Sequence, residues 1–340
     1  MKALLRIFLL IGAVTAVAIA AEPPPAPPSG ETAAHLLRVA GYPELGPLLL
    51  RWQEGFRRTH PGVRFENHLT GSDTGMARLY TGQADLVLLG REAAPNEIKA
   101  FEWIYQYRPF PVDILTGSLD RAGRSPALVF FVHPDNPLSR LTLVQADALF
   151  SPERRRGAPA ELRTWGQLGL TGEWADRPVH LYVCDTESNT GCYFRKTVLK
   201  DSRHLYWDRL QESADTRPLD HPTHDAAAKI RAALAADRDG LAVASLAPGA
   251  DASVKALALA ADEAGVAVSA TEATLRDRSY PLARPVYAYV NQAPGTPVPP
   301  LAAEFLRYLL GKEGRSAVQP DDGYLSLTPE QARVQSAKLQ

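Results

Sequence analysis

The chain has 340 residues, 45% hydrophobic and 22% charged, with 37 basic against 38 acidic side chains and a net charge of −1. This composition excludes wholesale disorder and fibrous repeats, and the balanced charge excludes a nucleic-acid binder held by the phosphate backbone. Two cysteines cannot staple a chain this long, so a hydrophobic core carries the fold, and about 100–200 residues per domain predicts two domains.

Residues 1–20 are set apart from the rest. Lys2 and Arg6 are followed by an apolar run from Ile7 to Val17, and then by Ala18-Ile19-Ala20. This is the pattern of a cleavable secretory signal peptide; the run is shorter than the ~20 residues a spanning helix needs. With no cysteine near the cut, a lipid-anchored form is not expected. Residues 21–34 form a Pro-rich linker, with EPPPAPPSG from Glu22 to Gly30 favouring an extended spacer. The mature chain is expected to be periplasmic, in an oxidising space.

From there strand-like and helix-like stretches alternate. Leu36 to Ala40 reads as a strand. Pro47 to Thr59 reads as a helix, with Leu48, Leu49, Trp52 and Phe56 at helical spacing. Val63 to Leu69 is a strand, Thr74 to Thr81 a helix, Asp85 to Leu89 a strand. Pro95 to Tyr105 is a helix opened by proline, whose missing N–H costs nothing there. Phe110 to Thr116 and Leu128 to Val132 are strands, and Leu143 to Phe150 is a helix. Ser151 to Asp176 is irregular, its Arg154-Arg155-Arg156 run read as a solvated loop. Val179 to Val183 is a strand, Thr190 to Leu199 a helix, His224 to Ala236 an Ala-rich helix, Gly240 to Ser245 and Pro285 to Val290 strands. Pro299 to Leu310 is a helix, and a polar helical tail ends the chain. Such alternation predicts an α/β fold with mainly parallel sheets, whose ligands bind beyond the carboxyl ends of strands.

Three loops follow strands and precede helices: Gly41-Tyr42-Pro43-Glu44-Leu45-Gly46-Pro47, Gly71-Ser72-Asp73-Thr74-Gly75, and Asp185-Thr186-Glu187-Ser188-Asn189-Thr190-Gly191. The second and third place hydroxyls beside the unpaired N–H groups and positive end of a helix, a cradle for an oxyanion. For each loop alone the plainer reading is that Ser72 or Asp73, and Ser188 or Asn189, are helix caps. Cys184 and Cys192 bracket the third loop, and in an oxidising space a disulfide between them is the expectation, provided their Cα atoms lie within about 7 Å. Two thiols packed as small hydrophobes are the alternative; a nucleophilic cysteine lacks a neighbouring base other than His180. Asp220-His221-Pro222-Thr223-His224-Asp225 has metal-capable side chains without a second His cluster to match, so it reads as a loop with Thr223 capping a helix, and no metal site is expected.

These pieces in this order resemble the periplasmic phosphate-binding proteins of ABC importers, the PstS-like family. The resemblance runs from about Leu37 to Leu327. It rests on Gly41, Leu45, Pro47 and Leu48; Gly71-Ser72-Asp73-Thr74-Gly75; Ala84-Asp85-Leu86; Gly90-Arg91-Glu92; His133-Pro134-Asp135-Asn136-Pro137; Leu141-Thr142-Leu143; Trp165; Tyr280-Pro281-Leu282-Ala283-Arg284-Pro285; Glu304-Phe305-Leu306; Glu313-Gly314; and Gly323-Tyr324-Leu325.

The resemblance implies a two-lobed, type II periplasmic binding protein with its ligand cleft between the lobes. Lobe 1 is then discontinuous, residues 35–115 and 283–328, lobe 2 spans 116–282, and 329–340 is a tail. The crossovers fall near Phe110 to Val132 and Leu282 to Tyr289, and the lobes close like a hinge. It further implies capture of phosphate or a related oxyanion for an inner-membrane ABC permease, by a monomer, with no chemistry, no cofactor and no nucleic acid.

The expected ligand residues are Ser72, Asp73, Thr74, Ser188, Asn189 and Thr190, with Arg91 as charge partner and Glu44 as acceptor of a protonated anion's proton. Two departures matter. The family's Arg four residues before Ser188 is Cys184 here, and its small hydroxyl residues in the first loop are Tyr42, Pro43 and Glu44. An interaction protein with an altered pocket, and a hydrolase using Ser188 or Cys184, are the alternatives.

Overall fold

The structure, a computed structural model, describes residues 35–216, 223–246 and 252–340. The expected signal peptide and linker, and Asp220 to Pro222 of the metal-capable loop, lie outside the described residues.

The first lobe begins with β1 (Leu36–Gly41), α1 (Gly46–Arg57), β2 (Arg64–His68), α2 (Ser72–Tyr80), β3 (Leu86–Leu89), α3 (Pro95–Tyr105) and β4 (Phe110–Thr116). The chain then builds a second lobe from β5 (Leu128–Val132), β6 (Arg140–Thr142), α4 (Leu143–Phe150), β7 (His180–Cys184), α5 (Asn189–Leu199), β8 (Leu210–Ser213), α6 (Ala226–Ala235), β9 (Gly240–Ser245), β10 (Lys255–Ala256), β11 (Ala258–Ala260) and α7 (Glu272–Arg276). It returns to the first through β12 (Pro285–Val290), α8 (Pro300–Leu310), α9 (Lys312–Ser316), β13 (Leu325–Ser326) and α10 (Pro329–Ala337).

Two sheets organise these elements: a six-stranded one in the order β13-β4-β12-β3-β1-β2, and a five-stranded one in the order β10-β5-β9-β7-β8. Both are mixed rather than mainly parallel. β1 runs parallel to β2 and β3, and β7 parallel to β8 and β9. β12 is antiparallel to β3 and β4, and β5 to β9 and β10. The antiparallel pairs all involve strands that carry the chain into or out of a crossover or its immediate return, where it enters a sheet from the other lobe and so against the βαβ direction. β3 and β5 are buried at every residue, as strands covered by helices on both faces must be. The edge strand β2 is largely exposed and carries Arg64, Glu66 and His68, charges that discourage pairing with another chain.

Separate cores hold the lobes. Trp52, Phe56 and Phe305 anchor one face of the first sheet, Met76 and Phe101 the other, and Phe130, Phe150, Trp165 and Phe194 the second lobe. Residues 329–340, expected as a polar helical tail, contain α10 and pack on the first lobe: Ala332 and Leu339 join its core, and Arg307 Nη2 donates to Leu339 O at 2.7 Å. The arginine run is not simply solvated either. Arg156 donates from its guanidinium to the carbonyls of Thr197 and Val198, closing the C-terminal end of α5, and from its backbone N–H to Asp147 Oδ2 at 2.6 Å.

The two crossovers run beside one another. Gly117 N–H donates to Arg284 O at 2.7 Å, and Leu128 N–H to Leu282 O at 3.4 Å. This hydrogen-bonded pair of segments forms the floor between the lobes. Among the described residues no helix is long and apolar enough to cross a membrane.

Candidate functional site

One cavity of about 420 Å³ opens over this floor, and the first, second and third loops all reach it. Their placement follows from close backbone packing. At Gly41, which ends β1, a side-chain carbon would sit 2.3 Å from Leu88 O, so β1 and β3 can deliver their loops side by side only with glycine there. Gly71 N–H donates to Gly41 O at 3.0 Å, tying the second loop to the first. At Gly191 a side-chain carbon would sit 2.2 Å from Asp185 O, so glycine lets the third loop fold tightly over the start of α5.

The second loop is a helix start whose donors are open. The first backbone bond runs from Gly75 N–H to Gly71 O at 3.0 Å, so the N–H groups of Ser72, Asp73 and Thr74 have no acceptor within α2. No side chain caps this end. Ser72 lines the cavity, and its hydroxyl makes no hydrogen bond among the described residues. Thr74 departs from expectation: its hydroxyl donates back to Gly71 O at 3.0 Å and pairs with Thr70 at 2.9 Å, so it does not reach the cavity.

The third loop divides its work. Ser188 is the cap of α5: its Oγ accepts from Gly191 N–H at 3.1 Å and donates to Asp185 O at 2.6 Å. In this arrangement the Ser188 hydroxyl proton is engaged by Asp185 O. Asn189 and Thr190, the first residues of α5, line the cavity with open backbone N–H groups. Ser72 and Ser188, 116 positions apart in sequence, thus border the same space.

The charges rearrange the expectation further. Arg91 lines the cavity, but its guanidinium is held by both oxygens of Glu97 at 2.7 Å and by Asp73. Burial pulls the Arg91 pKa down, and these two carboxylates more than offset it. Arg91 is therefore not the free charge partner, and Asp73 offers a ligand its backbone rather than its carboxylate. Glu44 lines the mouth.

The cation that sequence reasoning missed is Arg284, on the second crossover. It is 5% exposed and lines the cavity. Its Nη1 donates to Thr190 Oγ1 at 3.4 Å, and its guanidinium lies over the Tyr193 ring, 4.8 Å from the centroid. No carboxylate pairs with it among the described residues. Burial pulls its pKa down, with the charge of Arg91 acting in the same direction. The signal in the sequence is an arginine inside the otherwise uncharged run Tyr280-Pro281-Leu282-Ala283-Arg284-Pro285. A buried, unpaired guanidinium costs several kcal/mol, and an anion in the cavity would relieve that cost.

The expected disulfide is absent, since Cys184 and Cys192 are free thiols. Cys184 is buried in the cavity wall facing Arg284, and burial pushes its thiol up to about 12 against that cation's pull. Cys192 is exposed on α5, with its Sγ turned to Glu187 O at 3.7 Å and to Arg195 at 3.4 Å. The hydrolase alternative fails on geometry. Among the described residues no histidine or carboxylate bonds Ser188 Oγ, which pairs with the backbone of Asp185 and Gly191 and meets the Cys184 thiol, and His180 is engaged by Asp237 at 2.8 Å. No group of side chains suited to a metal occurs among the described residues.

Comparison with known proteins agrees with this architecture. The family model described as "PBP superfamily domain" matches residues 25–313. The phosphate-binding protein PstS of Pseudomonas aeruginosa is 34% identical over 330 residues, covering 96% of this chain and 94% of its own. Among solved structures, PstS from Borrelia burgdorferi superposes with a TM-score of 0.56 at 13% identity, covering 86% of this chain and 99% of that one. An ABC-type phosphate transport receptor from Vibrio cholerae gives 0.53 at 15% identity, over 86% and 99%. With two lobes, a cleft at helix N-termini and this similarity over nearly its whole length, the chain belongs to the PstS family of the periplasmic-binding-protein superfamily.

Proposed function

We propose that this protein captures phosphate in its cleft and delivers it to the permease of an ABC importer, without catalysing a reaction. The observation that carries the reading is Arg284: a buried cation with no carboxylate partner among the described residues, bordering the same cavity as the open N–H groups at the starts of α2 and α5. The family Arg lost at Cys184 is replaced, in this reading, by a charge from the hinge side of the cleft. Ser72, Asn189 and Thr190 add donors; Glu44 stands at the mouth as a proton acceptor. Four charge-assisted hydrogen bonds at about 1.5–3 kcal/mol each are enough for micromolar binding, which needs about −8 kcal/mol, before ordering costs. The relatives' printed descriptions, a phosphate-binding protein and a phosphate transport receptor, support the same ligand. Export by residues 1–20, a periplasmic location and a monomeric state belong to this proposal.

Calorimetry on the chain as secreted tests it. Phosphate should bind at micromolar concentration or below. A silent titration with phosphate, sulfate and arsenate alike would instead favour an interaction protein that keeps the fold without the ligand.

A further inference from the structure

The mouth of the cavity carries a histidine that phosphate capture leaves unused. His224 belongs to the stretch whose side chains could ligate a metal; it stands just ahead of α6 in the second lobe, half-exposed, and lines the cavity. Its Nδ1 lies 3.5 Å from Asp215 Oδ2, and the other Asp215 oxygen accepts from Ala226 N–H at 2.9 Å at the start of α6. Asp215 thus holds the ring from the side of its own lobe. Glu44, in the loop after β1 of the first lobe, lines the same cavity. A side-chain carbon at Gly123 would lie 3.2 Å from His224 Nε2 and 3.8 Å from Glu44 Cγ. The two side chains therefore approach one point from opposite lobes, and Gly123, left-handed at φ 76, keeps that point clear.

Neither the Glu44 carboxylate nor His224 Nε2 has a hydrogen-bond partner among the described residues. The other charged groups around them are engaged elsewhere. Asp225, next to His224, accepts from Thr216 and pairs with Lys229. Arg124 donates to the backbone carbonyl of Glu44 at 2.6 Å and lies over the Tyr324 ring, and Arg121 donates to Asp321 O. Deeper in the cavity Arg91 is clamped by Glu97 and Asp73, and Arg284 belongs to the floor. An unpaired carboxylate at the mouth of an anion cavity repels the anion. An imidazolium set against it would cancel that repulsion and tie the two lobes in the same contact.

We infer that His224 is a proton-operated clasp across the cleft mouth. Protonated, it joins Asp215 of its own lobe to Glu44 of the other and holds the mouth over the anion; neutral, it lets go. An imidazole changes charge between pH 5 and 8, whereas carboxylates stay ionised down to about pH 4. The clasp therefore acts in mildly acidic surroundings and opens as pH rises. This rests on phosphate as the ligand and adds a control on how firmly the cleft retains it.

The test is calorimetry with phosphate at about pH 5 and about pH 8, the ends of the imidazole range, on the wild type, His224→Gln, Glu44→Gln and the double variant. Comparing proteins at one pH cancels the titration of phosphate itself. At the lower pH His224→Gln should bind phosphate about three- to fivefold more weakly than the wild type, the worth of a partly exposed ion pair. At the higher pH the two should match. In the Glu44→Gln background, His224→Gln should change nothing further at either pH. The inference is overturned if His224→Gln weakens binding equally at both pH values or at neither. It is also overturned if the effect at the lower pH survives in the Glu44→Gln background, since His224 would then act on the anion directly and not through Glu44. Each of these results leaves phosphate as the ligand, whereas no binding at either pH overturns phosphate capture and the clasp together.

Discussion

Arg91 and Arg284 bring the same charge to the same cleft, and they differ in what else holds it. Arg91 is clamped by Glu97 and Asp73, so its field at the cavity is largely cancelled. Arg284 lies over an aromatic ring with no carboxylate partner among the described residues. Proximity to a strand end does not make an arginine an anion receptor. What does so is a desolvated charge whose partner is missing from the protein itself, because desolvation has then been met in folding and only an incoming anion repays it. The position matters as well: Arg284 O is bonded by Gly117 of the other crossover, so the receptor charge belongs to the floor between the lobes, whereas the donors of α2 and α5 belong one to each lobe.

The sharpest break of this comparison is Arg284→Ala. Removing a desolvated charge from an anion site typically costs ~2–5 kcal/mol, so phosphate affinity should fall roughly 30-fold to a few thousandfold. Adding Cys184→Arg in that background returns a guanidinium to the family position, into space vacated by Arg284, and should recover at least tenfold. Calorimetry reads both. Wild-type affinity in Arg284→Ala would remove Arg284 from the site. Next in size is Glu97→Gln. Glu97 is buried, bonds Arg91 through both oxygens and accepts from Ala94 N–H at 2.7 Å. Breaking a buried pair on one side destabilises by ~3–5 kcal/mol, so the melting temperature should drop by several degrees or more. Phosphate affinity should hold or rise, since Arg91 then carries more net charge toward the cleft. An affinity loss as large as that of Arg284→Ala would mean the Arg91 pair is itself part of the receptor.

Much of the fold was legible in the sequence because burial imposes a period. Strands such as Leu128 to Val132 and Gly240 to Ser245, and the proline-opened helix at Pro95, lie where apolar runs and breakers put them. Short strands such as β10 and β13, two residues each, carry no periodicity to read. Sheet direction was not legible either, because a strand's sequence does not say from which lobe the chain arrives. In the site, the two helix starts could be read from local residue types. The ownership of charges could not: Glu97 lies six residues beyond Arg91, and nothing in that spacing announces a clamp. Arg284 lies 94 residues from Thr190, a contact made only by the crossovers. Thr74 and Ser188 show the same limit at short range, since a hydroxyl beside a helix start serves the ligand or the backbone according to where one proton points.

That last distinction separates the two smallest predictions. Ser72 lines the cavity, its Oγ has no hydrogen-bond partner among the described residues, and it makes no side-chain cap of α2. Ser72→Ala should cost phosphate affinity about tenfold, the low end for a hydrogen bond to a charged group, and leave stability within about 0.5 kcal/mol. Ser188 is the reverse case: its Oγ joins Gly191 N–H to Asp185 O and fixes the turn that presents Asn189 and Thr190. Ser188→Ala should cost about 1 kcal/mol of stability, as a lost cap does. Affinity should fall less than about threefold, since the N–H groups that face the anion belong to the next two residues and not to the serine hydroxyl. Thermal melts beside calorimetry on the two variants separate these roles. If Ser188→Ala instead abolished binding at unchanged stability, its proton would have to leave Asp185 for the ligand, and the two helix starts would be equivalent donors rather than one open and one capped.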